Sequence, residues 1–287
     1  MGGSGRPAIV TFAHLTDVGR VRQRNEDFFG AFEPDDPALL RSRGRLFVVA
    51  DGMGGHARGD MASRLAVERL REAYYEAGRA EPLPEALRVA VQLANEAVYR
   101  EGRPPAAESP MGTTLTALVI RDHDAFLAHV GDSRAFLVRG RQIRQLTEDH
   151  SLVAELVRDG VLSAAEAEHH PNAHVVLRAL GLAEDLDIEV QGPLALRHGD
   201  TLVLSTDGLT RLVRPHEIRR LAKIRPLRRA CEQLVSMANE RGGPDNITLQ
   251  LIRFGSRRFL PRRPVVASRL VAGLRPTGAR QFRSARV

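Results

Sequence analysis

Three aspartates of the sequence share a setting that suits the binding of a divalent cation. Asp51 follows the apolar run LFVVA and precedes Gly52, and Asp207 follows TLVLST and precedes Gly208. Asp245 lies in GGPDN, directly before the apolar run ITLQLI. An ionised carboxylate at the end of a buried strand is unfavourable unless it is paired or bound to a cation. If these strands are neighbours in one sheet, their carboxylates converge and repel one another, and a bound divalent cation is the simplest remedy.

The available ligand atoms indicate which cation this is. Glu26 and Asp27 add two adjacent carboxylates after the polar turn GRVRQRNED, whereas Cys231 is the single cysteine. Oxygen ligation without cysteine favours Mg²⁺ or Mn²⁺ over a structural zinc. Five acids from four segments are enough for a two-metal centre that activates water. Because an Asp-Gly dipeptide alone is also a common turn, this prediction depends on the combination.

The composition is that of a globular chain with a basic end. The chain has 287 residues, 43% of them hydrophobic and 27% charged. Residues 256–287 contain nine arginines and no acid, so the net charge of +7 becomes −2 without them. We expect a flexible, solvated tail, and the alternative is a segment that binds nucleic acid or another acidic partner. The sequence has neither an apolar run long enough to span a membrane nor a signal-peptide pattern at its start, which predicts a cytoplasmic protein.

The apolar spacing predicts strands and helices that are grouped along the chain. LFVVA indicates a buried strand, helical spacing begins near Gly59, and a second helix is expected over residues 83–99. Four strand-like runs follow in succession: TLTALVI, AFLAHV, SRAFLVRG and RQIRQL. Grouped strands joined by short turns argue against a doubly wound parallel sheet and favour an α+β fold. We therefore predict antiparallel sheets covered by helices in one domain, residues 8–254, followed by the basic tail, residues 255–287.

Seven motifs occur in a fixed order along the sequence. They are RQRNED (22–27), VVADGMGGH (48–56), MGTTLTAL (111–118), HVGDSRAF (129–136), LTEDHS (146–151), LSTDGL (204–209) and GPDNIT (243–248). With these motifs the chain resembles the metal-dependent serine/threonine protein phosphatases of type 2C (the PPM family) in their compact bacterial form, over roughly residues 10–253. The resemblance implies two stacked antiparallel β-sheets flanked by helices, with a two-metal Mn²⁺/Mg²⁺ site at one end.

The resemblance also implies a ligand for each position of the metal site. Asp51 corresponds to the carboxylate that bridges both ions, and the Gly52 carbonyl corresponds to a direct ligand. The remaining ligands that it implies are Asp207 and Asp245 for one ion, Glu26 and Asp27 for the other, directly or through water, and Asp132 for a third, weaker ion.

Two further residues and the substrate follow from the same resemblance. Arg22 corresponds to a phosphate-binding arginine, whose forked guanidinium suits a phosphoryl group, and Asn246 supports the Asp245 loop. Some members have a histidine after the Asp-Gly pair, but this chain has Met53 there, so metal-bound water is the expected general acid. We expect a monomer that hydrolyses phosphoserine and phosphothreonine in proteins and opposes a cognate kinase. The alternatives are a catalytically silent scaffold and a phosphatase of a small phosphorylated metabolite.

Overall fold

The strands form two antiparallel sheets in the computed structural model, which describes residues 9–54, 58–76, 81–103 and 110–255. The strands are β1 Ile9–Asp17, β2 Asp27–Phe32, β3 Arg45–Met53, β4 Gly112–Thr113, β5 Leu115–Arg121, β6 Asp124–Val130, β7 Arg134–Arg139, β8 Gln142–Gln145, β9 Glu189–Ala195, β10 Thr201–Ser205 and β11 Ile247–Gly255. The order in one sheet is β1-β11-β10-β7-β8. The order in the other is β2-β3-β5-β6-β9, and β4 pairs with β3.

Helices cover the outer face of each sheet. The helices of the described residues are α1 Pro37–Arg43, α2 Arg58–Glu76, α3 Leu83–Glu101, α4 Leu152–Arg158, α5 Ala164–Glu168, α6 Asp207–Thr210, α7 Pro215–Leu221 and α8 Leu227–Glu240. Helices α2 and α3 pack on the sheet that contains β3, and α7 and α8 pack on the sheet that contains β10 and β11. None of the helices in the described ranges is long and apolar enough to cross a membrane.

The strand β3 shows why its sequence is an unbroken apolar run. Leu46 and Val48 face the core under α2 and α3, whereas Phe47 and Val49 face the core between the two sheets. All four side chains are at most 1% exposed. Successive side chains of a strand point to opposite faces, so a strand that is buried on both faces needs apolar residues at every position.

The architecture confirms the predicted α+β fold with two stacked antiparallel sheets flanked by helices. The condition considered for the sequence, that the three strands are neighbours in one sheet, holds for two of them. The strands next to Asp207 and Asp245, β10 and β11, are neighbours, but the strand of Asp51, β3, belongs to the other sheet. The acids therefore meet across the sandwich and not along one sheet edge. The predicted tail, residues 255–287, lies outside the described residues except for Gly255, which ends β11.

Candidate active site

Five aspartates meet at one end of the sandwich, and we call them the carboxylate cluster. Asp27 begins β2 and lies opposite Asp51 in the β2–β3 pairing. Asp207 is the first residue of α6, two residues after β10, and Asp245 precedes β11 by two residues. Burial raises the pKa of Asp51 well above its usual range, and repulsion by Asp27, Asp207, Asp132 and Asp245 raises it further. The structure therefore brings together the aspartates that the sequence singled out.

The electrostatics of the cluster show that these residues fit a divalent cation. Burial raises the pKa of Asp27 and of Asp132 to about 7, and neighbouring carboxylates contribute to both shifts. One carboxylate oxygen of Asp27 and one of Asp207, both Oδ1, are buried without a hydrogen-bond partner. Buried polar atoms normally have a partner, and a hard cation with oxygen ligands would supply one here. The donor set contains only oxygen, which suits Mg²⁺ or Mn²⁺.

Asp27 is held by a hydroxyl group from the opposite sheet. The Thr206 hydroxyl donates to Asp27 Oδ2 at 2.9 Å and accepts from the Thr248 backbone N–H at 3.0 Å. This arrangement turns Oδ2 of Asp27 towards the protein and leaves Oδ1 unpartnered. Sequence reasoning missed Thr206, although its position directly before the Asp-Gly pair was a usable signal.

Gly52 follows Asp51 inside β3, which continues to Met53 and does not end at the aspartate. A Cβ at residue 52 would lie 2.0 Å from the Gly59 carbonyl oxygen and 2.6 Å from that of Glu26. Real Cβ atoms do not approach so closely, so the contact between β3 and the start of α2 requires glycine. The Gly52 N–H also donates to the Glu26 carbonyl at 3.1 Å.

Asn246 holds the loop that carries Arg22 and Glu26. Its Oδ1 accepts from the Glu26 backbone N–H at 2.8 Å. Its Nδ2 donates to the carbonyl oxygens of Val18 and Arg24 at 3.0 and 2.9 Å. One buried side chain therefore satisfies three backbone groups of a segment that is more than 200 residues away in sequence.

Glu26 and Arg22 lie at the rim of the cluster. Burial raises the pKa of Glu26, although the nearby Arg22 opposes that shift. The Arg22 side chain is 50% exposed, and its Nη2 donates to Asp245 Oδ2 at 2.9 Å. The structure thus places a solvent-accessible guanidinium beside the carboxylates, in a position where it can meet an incoming anion.

A second arginine contacts the cluster, and no motif of the sequence predicts it. Arg211 Nη2 lies 2.6 Å from Asp207 Oδ2 and 3.8 Å from Asp132 Oδ2. The residue is one helical turn after Asp207, so both side chains lie on one face of the chain there.

Two histidines and a glutamate form a separate group beside the β6–β7 turn. One ligand atom from each of His129, His150 and Glu189 lies within 4.8 Å of the others. Both ring nitrogens of His129 already have protein partners at 2.9 Å, the Thr116 hydroxyl and the Glu148 carbonyl. His150 Nδ1 accepts from the Gly131 N–H at 3.1 Å. We therefore assign this group a structural role, since its first histidine has no free nitrogen for an ion.

Comparison with known proteins shows which family the chain is similar to. Residues 20–251 match the protein phosphatase 2C family. The serine/threonine phosphatase stp of Listeria monocytogenes is 39% identical over 241 residues, which are 83% of this chain and 93% of that protein. The structure of Stp1 from Staphylococcus aureus has a TM-score of 0.77 at 30% identity and covers 89% of this chain and 100% of its own. A PstP catalytic domain in complex with two manganese ions has a TM-score of 0.71 at 31% identity, with coverages of 86% and 99%.

A cluster of acids between the ends of two stacked antiparallel sheets, with oxygen donors only, suits an enzyme that uses a pair of divalent cations, and the matched relatives are phosphatases. The chain belongs to the protein phosphatase 2C family, because the family match spans most of its length. It is therefore a metal-dependent serine/threonine protein phosphatase, and its cofactor is Mn²⁺ or Mg²⁺.

Proposed function

We propose that the carboxylate cluster is the catalytic centre at which this chain hydrolyses phosphoserine and phosphothreonine in proteins. The observation that carries the proposal is the convergence of buried carboxylates from both sheets, two of which have an unpartnered oxygen. When bound, a pair of Mn²⁺ or Mg²⁺ ions supplies the chemistry, because it lowers the pKa of water and so provides a nucleophile near neutral pH.

The chain provides the ligands for the cation pair from four segments. Asp51 is central, because it is repelled by each of the other four carboxylates of the cluster. Asp51 and the neighbouring carbonyl of Gly52 would be ligands at the centre of the bound pair. Asp207, Asp245, Glu26 and Asp27 would supply the other ligands.

Arg22 binds and orients the phosphate. Its guanidinium is half exposed and held by Asp245, so its remaining N–H groups are available to phosphoryl oxygens. Asn246 keeps Arg22 in place through the backbone on both sides of it, at Val18 and Arg24. In the transition state, the guanidinium neutralises charge that develops on the phosphoryl oxygens.

The leaving serine or threonine oxygen must gain a proton. Met53, the residue after Gly52, has no proton to donate. We assign this proton transfer to a water molecule, because the position at which some family members carry a histidine is apolar here.

The same proposal covers the finer properties of the protein. We assign the phosphatase domain to residues 8–254 and the basic tail to residues 255–287. We propose a cytoplasmic monomer that reverses the action of a serine/threonine kinase. Binding of the tail to nucleic acid is the less favoured alternative, and it predicts steeply salt-dependent binding that is lost when the tail is deleted.

Hydrolysis of a phosphothreonine peptide with Mn²⁺ tests the proposal. We expect Asp51→Asn and Asp207→Asn to abolish hydrolysis, and excess chelator to do the same with the wild type. Cys231→Ser is the control, because this thiol is fully buried in the α8 core and should not affect turnover. Retained activity in the aspartate variants rejects the assignment of the site. Activity on small phosphorylated metabolites without activity on phosphopeptides rejects the protein substrate.

A further inference from the structure

Arg211 places a fixed positive charge on the outer side of the carboxylate cluster. Its guanidinium lies 2.6 Å from Asp207 Oδ2 and 3.8 Å from Asp132 Oδ2. The two carboxylate side chains are only 12% and 8% exposed, whereas that of Arg211 is 39% exposed. Arg211 thus neutralises a nearly buried pair of acids from the solvent side.

Nearby arginines are engaged elsewhere. Arg134 makes a bidentate contact with Asp149, with Nε at 3.0 Å from both carboxylate oxygens and Nη2 at 2.6 Å from Oδ2. Arg22 contacts Asp245. Within the part of the chain that the structure describes, Arg211 is the arginine with a guanidinium within 4 Å of both Asp132 and Asp207.

The contact also fixes the orientation of Asp207. Arg211 holds Oδ2, whereas Oδ1 of the same carboxylate is buried without a partner. One oxygen is therefore committed to the arginine, and the other is left for the cation pair of the proposed function. A further cation that bound to both Asp132 and Oδ2 of Asp207 would have to displace the Arg211 guanidinium or bind beside it.

We propose that Arg211 takes the place of a third cation at Asp132 and Asp207, so that this chain binds two divalent ions tightly and a third only weakly. The inference rests on the proposed function, because it assumes the cation pair at the cluster. A positive charge about 4 Å from a partly buried site changes a binding constant for a cation by tenfold or more. Arg211 is a positioning residue in this account, because it acts through Asp207.

Mn²⁺ binding, measured without any substrate, tests the inference. The variants are Arg211→Ala and Arg211→Lys, and the matched control is Arg214→Ala. Arg214 lies three residues further on, and its guanidinium contacts Glu168 at 3.2 Å. The stoichiometry and affinity are measured by native mass spectrometry and equilibrium dialysis, and circular dichroism establishes that each variant is folded.

We expect two tightly bound Mn²⁺ ions in the wild type and in Arg214→Ala. In Arg211→Ala we expect a third ion with an affinity at least about tenfold higher than in the wild type. Adding Asp132→Asn to Arg211→Ala should remove this gain, and Arg211→Lys should keep most of the wild-type behaviour. Unchanged third-ion affinity in Arg211→Ala overturns the role of Arg211 alone. A wild type that binds no pair of Mn²⁺ ions overturns the proposed metal centre as well.

The melting temperature of the metal-free protein gives a second readout. Arg134 also acts on Asp132 and Asp207 through its charge, but Arg211 is the arginine in direct contact with them. Removing Arg211 therefore weakens the compensation of their repulsion, and we expect the melting temperature of metal-free Arg211→Ala to fall by about 2–4 °C. Saturating Mn²⁺ should remove this difference, because a third ion then replaces the arginine. If the melting temperature of Arg211→Ala falls by the same amount with and without Mn²⁺, the inference is contradicted. Such a result would mean that the variant has only lost a surface contact.

Discussion

The substitution Asn246→Ala tests how the loop with Arg22 and Glu26 is held. The asparagine side chain makes three hydrogen bonds to backbone groups, at 2.8, 2.9 and 3.0 Å. A hydrogen bond contributes about 0.5–1.5 kcal/mol, and a buried group left without a partner costs about 1–3 kcal/mol. Water can reach part of this exposed loop, so we expect the free energy of unfolding to fall by about 2–4 kcal/mol.

The variant should also bind its cations more weakly. Groups that orient metal ligands typically affect metal affinity or activity by about 10–100-fold when they are removed. We expect the Mn²⁺ concentration for half-maximal phosphopeptide hydrolysis to rise at least about tenfold for this reason. Because Arg22 loses its fixed position as well, the KM for the phosphopeptide should rise at saturating Mn²⁺.

A second asparagine provides a matched control. Asn95 Nδ2 donates to the carbonyl oxygens of Ala183 and Glu184 at 3.0 and 2.9 Å, and its Oδ1 accepts from the Gly181 N–H at 2.8 Å. It therefore makes the same three types of hydrogen bond to a different loop.

Urea unfolding and Mn²⁺ titration of Asn246→Ala and Asn95→Ala separate the two effects. Both variants should lose comparable stability, but Asn246→Ala alone should lose Mn²⁺ affinity and raise the KM. If both variants change Mn²⁺ affinity equally, or if Asn246→Ala changes neither stability nor affinity, the proposed role of Asn246 is wrong.

Two further predictions concern β3 and the histidine beside the β6–β7 turn. Gly52→Ala should lower the free energy of unfolding by about 1–3 kcal/mol, because its Cβ would meet the Gly59 carbonyl at 2.0 Å. Urea unfolding checks this, with Gly255→Ala as a control whose nearest contact is at 3.9 Å. Burial, and then the neighbouring His150, lowers the pKa of His129 to about 3, so the folded state binds fewer protons than the unfolded state between that pH and about 6.5. The neutral His129 therefore contributes its full share to the free energy of unfolding above pH 6.5. This contribution falls by about 2 kcal/mol between pH 7 and 5. The decrease should be absent from His129→Gln, and identical pH slopes in urea unfolding of the two proteins would contradict it.

The sequence predicts the types of residues at the site better than their arrangement. Apolar runs such as LFVVA predict buried strands because both faces of such a strand pack against other layers. Periodicity does not say which sheet a strand joins, so the sequence left the sheet membership of β3 open. The partners of the ligands were also missed. Thr206 and Asp27 are 179 residues apart. The position of Thr206 before the Asp-Gly pair marks the threonine, but it does not identify Asp27 as its partner.

The origin of the acids in both sheets links the chemistry of the site to the stability of the sandwich. Asp27 and Asp51 come from one sheet, whereas Asp207 and Asp245 flank strands of the other. Repulsion between these carboxylates opposes the approach of the two sheets at this end, and Arg211 and Thr206 offset it only in part. A divalent cation bound by acids from both sheets therefore stabilises the folded state more than the unfolded one. When the cation is present, weakening its site therefore also lowers the stability of the folded state, and variants of its ligands have to be assayed for stability and for turnover separately.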